Sequence, residues 1–255
     1  PLYKFIEIIT QFENVFVAEE FITELDSIYA NIKDLPEATA LIYIARARLL
    51  VLQNHHQEAL AMFRQARKTH PYLLDAVLGE TRILLDLQEE EEAINTWNEF
   101  ALALAKVEHS EFSQESIVKA HITMARFLSE YLGRNREALN TLRKLLEKVP
   151  GEPSILLELA AELFANNQVR ESFVTLERLL SIARQNPTQQ SHIQAFAAML
   201  YSDAGEERKA AELLQTVDPM ALRPQDALLY CYALAKQREF AKALNILKKV
   251  PISAI

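Results

Sequence analysis

The stretch Ala40–Pro71 most constrains the fold, because it reads as two short amphipathic helices joined by a tight turn and because versions of it recur along the chain. In its first half, apolar residues follow a three-and-four spacing that places them on one helical face. Asn54 predicts the end of this helix, since asparagine tolerates the left-handed conformation. In the second half, Ala59, Phe63 and Ala66 share one face, and a closing proline ends the helix. Such a pair cannot bury its apolar face alone, so it must stack on copies of itself.

Six copies align on the small residue of the second helix, with spacings of 34, 45, 34, 38 and 33 residues. This column holds Ala59, Ala93, Ala138, Ser172, Ala210 and Ala243. A turn residue lies five positions before each of them. That second column holds Asn54, Gln88, Gly133, Asn167, Gly205 and Arg238. Two of the chain's four glycines and two asparagines fall in it. The column therefore predicts a left-handed cap residue at the end of the first helix of each unit.

The period of 34 residues, with a small residue, a large residue and a proline at fixed places, resembles the tetratricopeptide repeat. Ala59, Phe63, Ala66 and Pro71 carry the likeness best, and it covers about residues 40–250. The repeats are degenerate, because the small residue usual in the first helix is replaced in two of the six units. That place holds Ala47, Thr81, Arg126, Ala160, Ala198 and Cys231. The resemblance implies an all-α fold, a right-handed α-α superhelix (solenoid) of about six to seven antiparallel helix pairs.

The same pattern predicts the domain organisation. A degenerate N-terminal helical pair, or cap, is expected over residues 1–37, and one continuous solenoid domain over residues 38–255. Its six repeats are predicted at residues 38–72, 73–107, 114–150, 153–186, 190–219 and 224–251. Insertions are expected near residues 105–116, with a helix break at 109–113, and in the loop 184–190, since arrays place extra residues in loops. The chain begins at Pro1 rather than Met, so we expect a processed product or an excised segment.

Composition excludes several classes of function. The net charge is −8, and Lys and Arg are spread over every unit, whereas a nucleic-acid binder needs a basic stripe. Binding to an anionic membrane surface is disfavoured for the same reason. The sequence contains no run of 18 apolar residues, so it does not predict a membrane-spanning helix. The single cysteine, Cys231, excludes an intramolecular disulfide. It is compatible with a cytoplasmic location, with the periplasm as the alternative.

Motifs for catalysis or metal binding are not found. The sequence has no phosphate-binding glycine loop, no zinc-protease motif and no nucleophile elbow. His55 and His56 lie at a helix turn with no second ligand at metal spacing, and Cys231 reads as a packing residue between the helices of one unit. We therefore expect no enzyme activity, no metal and no cofactor.

The resemblance also implies a candidate binding surface, because the first helices of such repeats line a concave groove. The inward positions give the candidate partner-binding residues Arg48, Asp75, Arg82, Phe127, Tyr131, Phe164, Met199, Tyr232 and Lys236. Arg48 and Arg82 lie one period apart and suit a carboxylate or phosphate, although they could instead pair with Asp75 and Asp86. The aromatic members would form a docking strip for a peptide or helix, unless several of them pack into the core. The family's clamp for chaperone tails needs Lys and Asn at positions that here lack them, so chaperone tails are not expected.

Together these features favour a non-catalytic protein–protein interaction scaffold or adaptor. It would bind a protein or peptide segment in the concave groove, with an acidic group on the partner as one hypothesis. The alternative is a ligand- or peptide-sensing helical-repeat domain of a larger regulatory protein. Leu244 and Leu247 on the last helix lack a predicted cover, so self-association, a partner or further chain is expected at the C-terminal end.

Overall fold

A computed structural model describes residues 23–24, 35–106, 114–185 and 187–248. These residues contain twelve α-helices and no strand. The helices are α1 Pro36–Leu52, α2 His56–Thr69, α3 Leu74–Asp86, α4 Glu90–Lys106, α5 Gln114–Arg126, α6 Asn135–Lys148, α7 Pro153–Ala165, α8 Val169–Ala183, α9 Pro187–Asp203, α10 Glu207–Thr216, α11 Pro224–Lys236 and α12 Phe240–Leu247. The predicted N-terminal pair falls almost entirely outside the described residues, and so does the predicted break at 109–113.

The chain divides into two compact units, Pro1–Ala120 and His121–Ile255, with the boundary inside α5. In the first unit α1 packs on α2, α2 on α3 and α3 on α4, and α1 also contacts α3. In the second unit every helix from α6 to α12 contacts the next, and α9 contacts both α7 and α11. The predicted all-α class of stacked helix pairs is confirmed for the described residues. One right-handed superhelix running through both units stays a prediction.

The left-handed cap column is confirmed at all six positions. The φ angles are 61° at Asn54, 65° at Gln88, 63° at Gly133, 58° at Asn167, 78° at Gly205 and 62° at Arg238. In five of the six units the N–H after the cap residue donates to the carbonyl five residues back. The N–H of His55, for example, donates to the carbonyl of Leu50 at 2.8 Å, and that of Glu239 to Leu234 at 2.9 Å. In the third unit the N–H of Arg134 donates to the carbonyl of Leu128, six residues back. This turn reverses the chain and starts the second helix of each pair.

The small residue of each second helix is buried, which lets the two helices of a pair approach closely. Ser172 keeps this place in the fourth unit by donating its hydroxyl to the carbonyl of Ala160 at 2.8 Å. In the last unit Cys231 is buried, and its Sγ lies 3.5 Å from the carbonyl oxygen of Ala243. The predicted packing role of Cys231 is therefore confirmed.

The third unit holds one residue more than the others, and a π-helix, Phe127–Tyr131, contains it. In the other units the small residue of the first helix lies seven positions before the cap residue. Here the buried small residue is Ala125, eight positions before Gly133, while Arg126 is exposed. The predicted register of this first helix, which placed Arg126 in the small-residue column, is therefore wrong by one residue.

The start of α9 and the exposed side chains of α12 also bear on the predictions. Helix α9 begins at Pro187, so most of the extra residues predicted for the loop 184–190 lengthen this helix instead. On α12 the side chains of Phe240, Leu244 and Leu247 are exposed. What covers them, whether further chain, a second copy or a partner, stays a prediction.

Replacing Gln88 by glycine should stabilise the protein by about 1 kcal/mol, because glycine reaches a positive φ without the steric penalty of a Cβ atom. The reverse change, Gly205→Ala, should destabilise it by about the same amount. Urea unfolding followed by circular dichroism measures both changes. Equal stability of the two variants and the parent would contradict this account of the cap column.

Deleting Glu130 from the π-helix should change the free energy of unfolding by less than about 1 kcal/mol, because an ordinary α-helix then restores the spacing of the other units. The matched control is deletion of Glu162 from α7, whose spacing is already regular. That deletion rotates one part of the helix by about 100° against the other and should cost more than about 3 kcal/mol. Equal costs for the two deletions would show that the π-helix does not hold an inserted residue.

Candidate partner-binding face

The inward positions of the first helices make up what we name the first-helix face, defined by the nine predicted site residues. Two arginines of this face, Arg48 and Arg82, lie in the first compact unit and differ in their ion pairing. Arg48 on α1 lies 3.6 Å from Asp75 on α3, so this arginine takes the alternative role of an internal ion pair. Arg82 is exposed, and within the described ranges no carboxylate lies against it. Of the two guanidinium groups, Arg82 is therefore the one available to a partner.

The predicted aromatic strip is only partly exposed. Phe127 is 5% exposed and packs in the core, which is the alternative left open for members of this strip. The one-residue shift of register explains this, because Phe127 takes a core position of its helix. Tyr131 is 62% exposed, and its ring stacks on that of Phe127 with the centroids 5.8 Å apart. Phe164 and Met199 are half-buried and pack against one apolar cluster.

Tyr232 is held in place by two charged neighbours. Its hydroxyl donates to Asp203 at 2.7 Å, and Lys236 Nζ lies 3.3 Å from the same carboxylate oxygen. The ammonium group also lies 5.2 Å from the centre of the Tyr232 ring. Interaction with Tyr232 and then with Asp203 raises the pKa of Lys236 above its ordinary value. The three side chains therefore present a fixed, 43% exposed aromatic ring between two charges.

The register shift moves Arg126 into the repeat position of Arg48 and Arg82. Its Nε and Nη2 donate to the two carboxylate oxygens of Glu158 on α7, at 2.8 and 2.6 Å. This planar two-bond contact is the strongest geometry for such a pair. Sequence reasoning missed it, because a uniform α-helix through residues 114–131 assigns the inward position to Phe127.

A second group of charges was also missed by sequence reasoning. Glu80 on α3 is buried, and Arg67 Nε donates to it at 2.8 Å while Arg64 Nε donates at 3.4 Å. Thr96 on α4 points its hydroxyl at the same carboxylate from 3.5 Å. Arg67 also pairs with Glu99 at 2.6 Å. This cluster joins α2, α3 and α4, and it is a structural contact rather than an open site.

An ion pair between successive second helices occurs at the same repeat positions in two places. Arg64 pairs with Glu92 in the first unit of the structure, and Arg143 pairs with Glu171 at 2.9 Å in the second. Both pairs join the same two repeat positions on successive second helices. Opposite charges at these two positions in the aligned repeats are the sequence signal that could have revealed the pairs.

His192 on α9 belongs to a cluster of polar side chains around Asp226. Its Nδ1 lies 2.6 Å from Asp226, which is buried at the start of α11. Arg223 Nε donates to the other oxygen of the same carboxylate at 2.7 Å. The cluster ties α9 to α11 and leaves His192 little capacity for a partner.

The described parts of the chain contain no group of three or more His, Cys, Asp or Glu side chains that could hold a metal ion. None of the helices in those parts combines the length and the apolar character that crossing a membrane requires.

Comparison with known proteins gives similarities among solved structures alone. No protein-family model matches the chain, and no curated protein matches it. It is similar in structure to YrrB, a TPR protein with an unusual peptide-binding site, at 18% identity over 87% of this chain and 97% of YrrB, with a TM-score of 0.42. It is also similar to the type IV pilus biogenesis factor PilW, at 18% identity over 82% and 92% of the chains and a TM-score of 0.49. For PilF of Pseudomonas aeruginosa the identity is 15% over 84% and 92%, with a TM-score of 0.48.

The described residues form stacked helix pairs that resemble tetratricopeptide repeats. At identities of 15% and 18%, this statement rests on the chain's own helix pairs and cap column rather than on the similarities.

Replacing Arg126 by alanine should destabilise the protein by about 1–3 kcal/mol, because the largely buried carboxylate of Glu158 then loses both donors. Arg82→Ala is the matched control: it removes an arginine from the same repeat position but breaks no described ion pair. It should change stability by less than about 0.5 kcal/mol. Chemical denaturation of both variants measures the difference, and equal effects would contradict the revised register.

Proposed function

We propose that this protein is a non-catalytic scaffold that binds a protein or peptide segment on the first-helix face. The observation that supports this most is the fixed and exposed ring of Tyr232, held by Asp203 and Lys236. Tyrosine is enriched in the residues that dominate binding energy, and an ordered ring loses little conformational entropy when a partner binds. Tyr131, held by its stacking on Phe127, offers a second ring of this kind.

An acidic group on the partner would meet Arg82. This arginine is exposed and has no ion-pair partner within the described residues, whereas Arg48 and Arg126 are each paired with a carboxylate. A guanidinium group binds a carboxylate with two parallel hydrogen bonds, which gives direction as well as energy. Because the contact is exposed, its contribution should fall as the salt concentration rises.

Binding rather than catalysis also fits the use of the charged side chains. The most buried carboxylates, Glu80, Glu158 and Asp226, each receive donors from arginine within the fold. For the location we propose the cytoplasm, supported by the free and buried thiol of Cys231, with the periplasm as the alternative.

The proposal is tested by placing a photo-crosslinking amino acid at Tyr131 or Tyr232 of the full-length protein, crosslinking in living cells and identifying the protein that is captured. Val174 on α8 is the control position, since it is exposed but lies on a second helix. Capture of the same protein from positions 131 and 232 but not from 174 is the expected outcome. Equal capture from all three positions would count against the first-helix face.

For the protein captured in this way, Tyr131→Ala combined with Tyr232→Ala should weaken binding by roughly 30-fold or more, because aromatic contact residues contribute about 1–2 kcal/mol or more each. Arg82→Ala should weaken binding at low salt and leave it nearly unchanged at high salt. Isothermal titration calorimetry at two salt concentrations measures both effects, with Val174→Ala as the control. Unchanged affinity in the double tyrosine variant would refute the proposal.

A further inference from the structure

The second unit contains a cleft on the side of α9 away from the first-helix face. Helices α8 and α10 form its walls and α9 its floor, and its volume is about 560 Å³. That volume lies in the range of ligand sites in proteins. The floor carries Gln190, Gln194 and Tyr201, while Leu180 and Leu213 give the walls an apolar surface.

Gln194 is the group that points to a ligand. The residue is only 8% exposed, and its Oε1 has no hydrogen-bond partner in the part of the chain that the structure describes. Buried polar atoms in folded proteins are nearly always paired, so an unpaired acceptor on a residue that lines a cleft points to an occupant that donates a hydrogen bond, either a ligand group or an ordered water. A primary amide offers an acceptor next to two donors, which matches the N–H and C=O groups of a peptide backbone.

The cleft is distinct from the first-helix face by helical geometry. At 100° per residue, Gln190, Gln194 and Tyr201 lie within roughly 40° of each other around α9, whereas Met199 lies about 140° from Gln194. Along the axis, Gln190 and Tyr201 are about 16 Å apart at 1.5 Å per residue. An extended peptide of about five residues has that length.

The charges of the cleft select for a neutral occupant. Tyr201 donates its hydroxyl to Glu177 at 2.8 Å, and the ammonium group of Lys209 lies 5.1 Å from the centre of the Tyr201 ring. Arg184 and Glu212 add one charge of each sign, so two cations and two carboxylates line the cleft. A phosphate or a strongly acidic peptide would meet as much repulsion as attraction there.

We propose that this cleft is a second binding site, which holds an extended and uncharged peptide segment of about five residues. Its backbone amide pairs with the side-chain amide of Gln194, and an aliphatic side chain packs between Leu180 and Leu213. This site goes beyond the proposed function, because it uses the opposite face of α9 and none of the nine first-helix residues.

The test is an NMR titration of the whole chain, labelled with ¹⁵N in its glutamine side chains. The probes are blocked pentapeptides of the form acetyl-Ala-Ala-Xaa-Ala-Ala-amide, with Leu, Asn, Lys or Glu as the central residue. The Leu peptide should shift the Gln194 amide resonances in a saturable way. The Asn peptide, which is neutral but not aliphatic, should bind more weakly, and the charged Lys and Glu peptides should bind most weakly. In the Gln194→Leu variant binding is followed through the side-chain amide of Gln190, which also lines the cleft. Gln194→Leu should weaken binding by roughly tenfold, as expected for the loss of hydrogen bonds in a site of this kind.

Two controls keep the result interpretable. Gln194→Leu, or Gln194→Met as a second variant, should melt at the same or a higher temperature than the parent, because each removes an unpaired buried acceptor. Asp203→Asn changes the first-helix face and should leave peptide binding to the cleft unchanged. If no resonance shifts at peptide concentrations up to about 5 mM, the dissociation constant is too high for a binding site and the proposal is overturned. An ordered water would then be the hydrogen-bond donor to Oε1. Binding that survives Gln194→Leu would overturn the proposal too, and loss of binding in Asp203→Asn alone would place the peptide on the first-helix face instead.

Discussion

The structure depends on one backbone conformation, the left-handed residue that ends the first helix of each pair. Because a left-handed residue ends each first helix, the chain reverses at the corresponding place in every repeat. This reversal brings a small residue of one helix against a small residue of the other, as Ser172 meets Ala160. Only then can the larger side chains, such as Trp97 and Leu142, fill the spaces between pairs. Close approach, burial and stacking all follow from this turn.

The third unit shows how strictly the chain keeps this arrangement. It carries an extra residue, yet both Ala125 and Gly133 remain in their structural columns, because the π-helix between them contains the excess. The consequence is chemical as well as geometric. Arg126, rather than Phe127, occupies the position that faces the neighbouring first helix, and it finds Glu158 there. The π-helix therefore places an ion pair where a uniform α-helix would place an aromatic side chain.

Much of the fold could be predicted from the sequence, since the cap residues and the small residues form columns with a regular spacing. Gln88 and Arg238 have no intrinsic preference for the left-handed region, and only their place in the column predicted their conformation. The candidate site was less predictable, because exposure depends on a single residue of register. A uniform helix predicted Phe127 to be exposed, and nothing in the local sequence marks a π-helix. Gln194 was also missed, since an unpaired amide is visible only once three helices enclose it.

The ion pairs between successive second helices have a consequence for how the repeats find their order. Arg64 and Arg143 each face a glutamate on the following second helix, but the same two positions one repeat later hold Glu177 and Lys209, with the charges reversed. If α2 stacked on α10 in place of its proper neighbour, Arg64 would oppose Lys209. Repeats of similar shape are prone to pair out of order while they fold, and like charges raise the energy of such wrong pairings. The surface pairs thus add little to stability and instead help to discriminate the correct sequence of repeats from its permutations.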